Sequence, residues 1–344
     1  MRVYLNFRYT CEMPAEPKVL VTGSAGFIGS CLMRDLINSG ITTRGIDNYS
    51  DYYNPSMKLI REAEFGLEGK TSNVDIADKE ELADFMRSYR PDFVVNLAAQ
   101  GGVRASRVQP IPYLLGNQIG FLNLLELSRE LKVQKFIFAS SSSVYGDSTQ
   151  PPFTENQQLS APKSLYALSK LSNEIIAKYF EAHEMSIIGL RLFTVYGPWS
   201  RPDMAMFQML ASSRLNKQFN LTAALSVKRD FTYVGDVSKV IREMLFKELE
   251  SEKFEIFNVC GGRPYSLQEL FGILKNSYQE IEYIQMDQDE LDVKLTHGST
   301  EKLAKFGLSV PITTLESGVL QTLDWFKSIP TNDISDWYQY SSIN

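Results

Sequence analysis

The sequence predicts an α/β fold: a Rossmann-like doubly wound parallel sheet joined to a smaller C-terminal α/β domain. Three observations predict it. Strand-like and helix-like runs alternate from Lys18 to Leu192, the grammar of a parallel sheet covered by helices on both faces. A glycine loop, Gly23-Ser24-Ala25-Gly26-Phe27-Ile28-Gly29, joins the first strand to the first helix. An acid, Asp47, closes the second strand.

Composition bounds the partners. With 44% hydrophobic and 22% charged residues in 344, the chain has ordinary globular material for a core. A formal charge of -6 argues against a nucleic-acid footprint, which is normally basic. Cys11, Cys31 and Cys260 are odd in number and scattered, which is no disulfide framework and suits a reducing compartment. His183 and His297 stand far apart without cysteines at ligand spacing, so no metal site is expected. No apolar run is long enough to span a bilayer, and the N-terminus lacks the apolar stretch of a signal peptide. The expectation is a soluble cytoplasmic protein.

Residues 1–17 read as an extension, with Pro14 and Pro17 just before the first strand. Lys18–Thr22 is a buried strand, and the helix after the glycine loop runs to about Ser39. Backbone amides of such a loop approach a pyrophosphate at the helix N-terminus. The glycine spacing is GxxGxxG, a variant of GxGxxG. Ile41–Ile46 leads to Asp47, whose carboxylate suits the adenosine ribose hydroxyls and repels a 2′-phosphate, so NAD is favoured over NADP. Thr71–Asp75 ends a further strand and sets Asp75-Ile76 at the adenine. A helix from Lys79 to Ser88 and a strand from Asp92 to Ala98 follow, with Asn96-Leu97-Ala98-Ala99-Gln100 small enough to let a dinucleotide pass. Ile111–Leu131 reads as one long amphipathic helix.

Lys135–Ala139 is a short apolar strand that runs into four hydroxyls, Ser140, Ser141, Ser142 and Ser143. The next helix, from Tyr166 to about His183, places Tyr166 and Lys170 on one face. A tyrosine has a pKa of about 10, and lowering it by ~3 units takes roughly 4 kcal/mol of differential interaction, which a nearby cation can supply in part. Taken alone, the pair also fits an ordinary surface helix. Ser186–Leu192 is another strand. After Phe193 the pieces shorten: a helix near Met204–Leu215, strand-like runs near Phe219 and Val227, a helix from about Asp236, and a late strand at Glu255–Cys260 for the parallel sheet. Helices near Leu267–Asn276 and Thr314–Phe326 belong to the smaller domain. The expected division is 18–192 with contributions from about 228–262, then 193–227 with 263–330, and a tail at 331–344.

Together, Gly23 to Gly29, Asp47, Asn96 to Gln100, Ser140 to Gly146 and Tyr166 to Lys170 resemble an extended short-chain dehydrogenase/reductase. Within that superfamily the chain looks most like the UDP-glucuronate 4-epimerases. The stretches that carry this are Asp47-Asn48-Tyr49-Ser50-Asp51-Tyr52-Tyr53, Ala98-Ala99-Gln100-Gly101-Gly102-Val103-Arg104, the serine run, and Arg191 through Met204. The resemblance implies tightly held NAD, a UDP-sugar substrate and a homodimer pairing the helices near 111–131 and 166–183. It implies cofactor contacts from Gly23, Ala25, Gly26, Phe27, Ile28, Gly29, Asp47, Asn48, Asp75, Ile76, Leu97, Ala98, Ala99, Gln100, Asn117 and Lys170. It implies substrate contacts from Arg104, Ser141, Ser142, Ser143, Tyr166, Thr194, Arg201 and Arg229.

The chemistry so implied is hydride removal from sugar carbon 4 while Tyr166 takes the hydroxyl proton, then hydride return to the opposite face of a 4-keto sugar. Lys170 would lower the tyrosine pKa, and Ser141 would bond the reacting hydroxyl. Related dehydratases carry acids after the catalytic hydroxyl, and related decarboxylases a glutamate. Here Ser142 and Ser143 stand there, poor bases but good donors to a uronate carboxylate. Thr194 and Arg201 would complete that carboxylate pocket, and Arg229 would bind the diphosphate. Two departures, Asp287–Val293 without the family's Pro-Gly-Asp and Gly235 in place of an acid, bear on the sugar more than on the chemistry. The rival readings are a 4-epimerase of UDP-glucose or a UDP-N-acetylhexosamine, a dehydratase or decarboxylase, and a non-catalytic NAD-binding sensor.

Overall fold

The structure is a computed structural model that describes residues 16–148, 150–182, 185–248 and 253–343. The extension expected at 1–17 lies outside the described residues up to residue 15.

The chain builds β1 (Lys18–Thr22), α1 (Phe27–Asn38), β2 (Thr42–Asp47), α2 (Ser56–Glu64), β3 (Thr71–Asn73), α3 (Lys79–Tyr89) and β4 (Phe93–Asn96) in strict alternation. Two short helices follow, α4 (Ala105–Val108) and α5 (Ile111–Leu114), then a π-helical turn at Leu115–Gly120 and α6 (Phe121–Glu130). Next come β5 (Lys135–Ser141), α7 (Leu165–Tyr179) and β6 (Ser186–Leu192). The rest contains β7 (Thr194–Tyr196), α8 (Ala205–Arg214), β8 (Phe219–Leu221), β9 (Lys228–Tyr233), α9 (Val234–Phe246) and β10 (Phe254–Val259). It closes with β11 (Pro264–Ser266), α10 (Leu267–Ser277), β12 (Tyr283–Gln285), α11 (Glu301–Lys305), α12 (Leu315–Ser328) and α13 (Thr331–Ile343).

Seven strands form one parallel sheet in the order β10-β6-β5-β4-β1-β2-β3. The order reverses between β1 and β4, and ligands of such sheets bind beyond the strand ends at that point. The sheet is buried on both faces because successive strand residues point to opposite sides. Val19 and Val21 of β1 pack with α1 and α9, while Leu20 between them packs with α3 and α6. The late strand expected near Glu255–Cys260 joins this sheet beside β6. The remaining strands form two small sheets, β11-β9-β7 and β12-β8, over a separate apolar cluster centred on Phe207, Leu270, Phe326 and Trp337.

Two expectations are corrected. The helix read across Ile111–Leu131 is interrupted by the π-helical turn. That turn buries Asn117 and lets its side chain bond the Gln100 backbone on one side and Ser169 on the other, a local adjustment that such turns often make near functional sites. The stretch 331–344, expected as a tail, is helical through Ile343. It packs on α8 because Ile334 and Trp337 on one face are almost fully buried. Among the described residues no helix is long and apolar enough to cross a membrane.

Candidate active site

A cavity of about 410 Å³ lies over the C-terminal ends of β1 to β5. It starts at the glycine loop. Gly23 adopts φ +66°, and a Cβ there would lie 2.8 Å from the Ala98 nitrogen. A Cβ on Gly29 would fall 2.0 Å from the Gly23 carbonyl oxygen. Only glycines allow α1 to press this closely against β1 and β4. Gly26 caps α1 without any side-chain hydrogen bond, so the first-turn amides at Phe27 and Ile28 face the cavity as an anion receptor. Such a bare, glycine-walled helix N-terminus beside an acid-tipped strand fits a dinucleotide.

Asp47 lines the cavity but is already partnered. Its oxygens accept from the Ala25 and Tyr49 nitrogens and from Lys58 Nζ at 2.9 Å, and both members of the ion pair are buried. Lys58 also lines the cavity, and the sequence reading missed it. Its spacing from Asp47 crosses a loop and a helix start, so no local pattern marked it. Asn48 donates to Asp75, whose other oxygen accepts from the Ala77 nitrogen. Asp75 and Ile76 line the far end, and Leu97, Ala98, Ala99 and Gln100 line the middle. Of the residues expected at the cofactor, Ala25, Asn117 and Lys170 do not line the cavity. Ala25 is fully buried behind the loop, and Asn117 braces Gln100 from below.

The other end of the cavity reaches Gly101, Ala139 and Arg201. Ser164 caps α7 by accepting from the Ala167 nitrogen, which sets the first turn that carries Tyr166. The Tyr166 phenol lies near enough to Ser141 for that hydroxyl to favour its charged form, and its ring meets Tyr113 edge-on at 6.4 Å. Burial raises the Tyr166 pKa, while Ser141 and the Arg201 charge pull it down. Lys170 Nζ donates to the Ala139 carbonyl at 2.8 Å and lies 5.9 Å from the Tyr166 ring. Burial lowers the Lys170 pKa to about 8. Two cations therefore stand at the phenol, Lys170 beside its ring and Arg201, whose charge favours the phenolate.

Ser141 ends β5 and caps the short 3-10 turn Ser142–Tyr145, accepting from the Ser143 nitrogen and donating to its hydroxyl. Ser140 faces the opposite way and donates to Glu174. Glu174 forms a buried bidentate pair with Arg191 of β6, at 3.0 and 2.8 Å. That network, extended through Tyr145 to Asn258, fixes α7 against β5, β6 and β10. Neither Glu174 nor its role was legible from spacing.

The arginines expected at the substrate are all engaged. Arg201 is paired with Asp203 through Nε at 2.9 Å and Nη2 at 3.0 Å, and Asp203 also accepts from Tyr52. Although burial works against its charge, Asp203 keeps Arg201 above its ordinary pKa. The remaining nitrogen, Nη1, faces Gly101, where a Cβ would approach to 2.9 Å. Arg104 bonds Thr222 and pairs with Asp289 and Asp292. Arg229 donates to the Val293 carbonyl and lies 3.9 Å from Asp292. Burial lowers its pKa, with Arg104 adding to the effect. Thus Asp292, within the segment that departs from the family pattern, sits between two arginines. Thr194 begins β7 opposite Phe231.

Residues 19–260 match the NAD dependent epimerase/dehydratase family. Protein CapI of Staphylococcus aureus is 36% identical over 327 residues, covering 90% of this chain and 98% of that protein. UDP-glucuronate 4-epimerase 4 of Arabidopsis thaliana is 35% identical, covering 92% of this chain and 76% of that protein. Among solved structures, the UDP-glucuronic acid 4-epimerase of Bacillus cereus, in complex with UDP-glucuronic acid and NAD, superposes with a TM-score of 0.83. It is 30% identical and covers 90% of this chain and 99% of that one.

Proposed function

Because the chain belongs to the NAD-dependent epimerase/dehydratase family, we propose that it is a UDP-sugar 4-epimerase interconverting UDP-glucuronate and UDP-galacturonate. The observation that carries this reading is the buried Tyr166 phenol with Ser141 and the Arg201 charge both favouring its ionised form, and hydroxyls with no carboxylates at 142 and 143. NAD when bound supplies the hydride acceptor and donor. Tyr166, as phenolate, takes the proton of the C4 hydroxyl and later returns it, with Ser141 holding the same oxygen. Lys170, anchored on Ala139, keeps the α7 face in place at the nicotinamide end. Residues 18–192 with about 228–262 hold the cofactor, and 193–227 with 263–330 hold the UDP-sugar. Ser142, Ser143, Thr194 and Arg201 receive the carboxylate, and Arg229 receives the diphosphate.

A second reading, a neutral UDP-hexose, draws on Asp203, which already neutralises Arg201. Incubating the pure protein with UDP-glucuronate, UDP-glucose and UDP-N-acetylglucosamine without added cofactor, with products identified by NMR, separates the two. Turnover of the uronate alone supports the first, and turnover of the neutral sugars alone sinks it. Arg201→Ala should raise the KM for a uronate far more than for a neutral hexose.

The homodimer rests on an exposed apolar stripe. Ile111, Leu115 and Ile119 follow one another at helical spacing, and Leu168, Ile175 and Tyr179 line the adjoining face of α7. Ile175→Asp should yield a monomer by light scattering. The buried free thiols Cys31 and Cys260 support a cytoplasmic setting.

A further inference from the structure

Arg61 of α2 is fully buried, and its guanidinium joins two loops far apart in sequence. Nη1 donates to the Ala25 carbonyl at 2.6 Å and to the Tyr53 hydroxyl at 3.1 Å. Nη2 donates to the Trp199 carbonyl at 2.9 Å, and Nε has no partner. Among the described residues no carboxylate lies within 4.0 Å of it. Two buried acids of this region are spoken for: Asp47 is held by Lys58, one turn earlier on the same helix, and Glu62 by the Tyr49 hydroxyl. Arg191, equally sequestered, has both oxygens of Glu174. A buried guanidinium served only by neutral acceptors is unfavourable unless an anion completes its field.

Its position says which anion. Ala25, whose carbonyl it grips, directly precedes Gly26, the cap of the helix whose open amides line the cavity. At the other end Trp199 sits in the left-handed region, φ +65°, wedged against Trp325 and Trp337. That rigid aromatic wall fixes the guanidinium behind the glycine loop.

We propose that Arg61 is a positioning residue whose missing counter-charge is the pyrophosphate of the bound cofactor, felt through the glycine loop that it braces. This rests on the reading of the cavity as the NAD site. The test uses the full chain freed of bound nucleotide, with ADP and adenosine titrated calorimetrically against wild type, Arg61→Met and Arg61→Lys. Adenosine lacks the diphosphate and reports the rest of the pocket. Arg61→Met should weaken ADP about 10-fold or more while changing adenosine less than about 2-fold, which places its effect at the diphosphate. Arg61→Lys, which keeps the charge, should stay within about 3-fold of wild type for ADP. Equal losses for ADP and adenosine in Arg61→Met overturn the assignment. If Arg61→Met does not fold, a 10-fold loss of ADP in Arg61→Lys overturns it instead. A wild type that binds neither NAD nor ADP would overturn the cofactor reading itself, a different outcome from any of these.

Discussion

At the dinucleotide end the cavity is walled by backbone: glycines without side chains, open amides of α1, and the chain from Leu97 to Gln100. At its other end it reaches Arg201, and the three arginines proposed for the substrate each stand beside an acid: Arg201 with Asp203, Arg104 with Asp289 and Asp292, Arg229 beside Asp292. The first end recognises by shape and dipoles that need no rearrangement. On the proposed reading, the second would exchange internal partners for the ligand's anions, with affinities set by how firmly each acid is held. Helix α7, which carries Tyr166, is pinned by the Glu174–Arg191 pair.

The largest effect should come at the tyrosine of α7. Tyr166→Phe should lower kcat by ~10²–10⁴-fold while the protein still retains NAD on chromatographic assay. Loss of NAD together with activity would tie the phenol to the cofactor wall instead. Glu174→Gln leaves Arg191 buried without a full counter-charge and should destabilise the fold by roughly 3–5 kcal/mol in denaturant unfolding. Arg104→Ala removes pairs whose arginine is half exposed, and should cost less than about 1 kcal/mol.

For UDP affinity the contrast lies within the sugar end. Arg229→Ala should weaken UDP by about 10–100-fold, the size of a charge-assisted hydrogen bond. Asp292→Asn, by freeing Arg229 and Arg104, should tighten it by a few-fold. Weaker UDP binding in Asp292→Asn would mean that the aspartate organises the arginines for the ligand.

The smallest effect is one of pH. Burial lowers the pKa of Lys170 and of Lys135 to about 8, from 10.5. Between those values the unfolded chain binds more protons than the folded one, so these lysines make stability rise with pH from about 8 to 10.5. Below about 8 both states hold the protons and the penalty is constant. Lys170→Met should flatten that rise in Tm, while a mutation of Lys305, exposed on α11, should not.

The glycine loop, Asp47, the serine run and Tyr166-Ala167-Leu168-Ser169-Lys170 were legible because each is a contiguous stretch whose chemistry depends on local spacing. The order of elements followed from the alternation of apolar runs, because a parallel sheet buried on both faces demands continuous apolar strands and covering helices. The partners of those residues were not legible. Lys58 at Asp47, Asp203 at Arg201, Asp292 between two arginines and Glu174 at Arg191 are pairings over 11, 2, 188 and 17 residues. Even the shortest lies in an irregular loop, just past Trp199 at φ +65°, where no helix or strand period sets side-chain direction. Nor did periodicity distinguish the π-helical turn that aims Asn117 at Gln100, or the burial that turns 331–343 from a tail into a helix. The sequence by itself determined the elements and the kind of chemistry, since hydrogen-bond geometry and side-chain spacing along one segment suffice for those. Only the tertiary structure decided which charges are free to meet a ligand, because that depends on which distant side chains the packing brings within a few ångströms and shields from water.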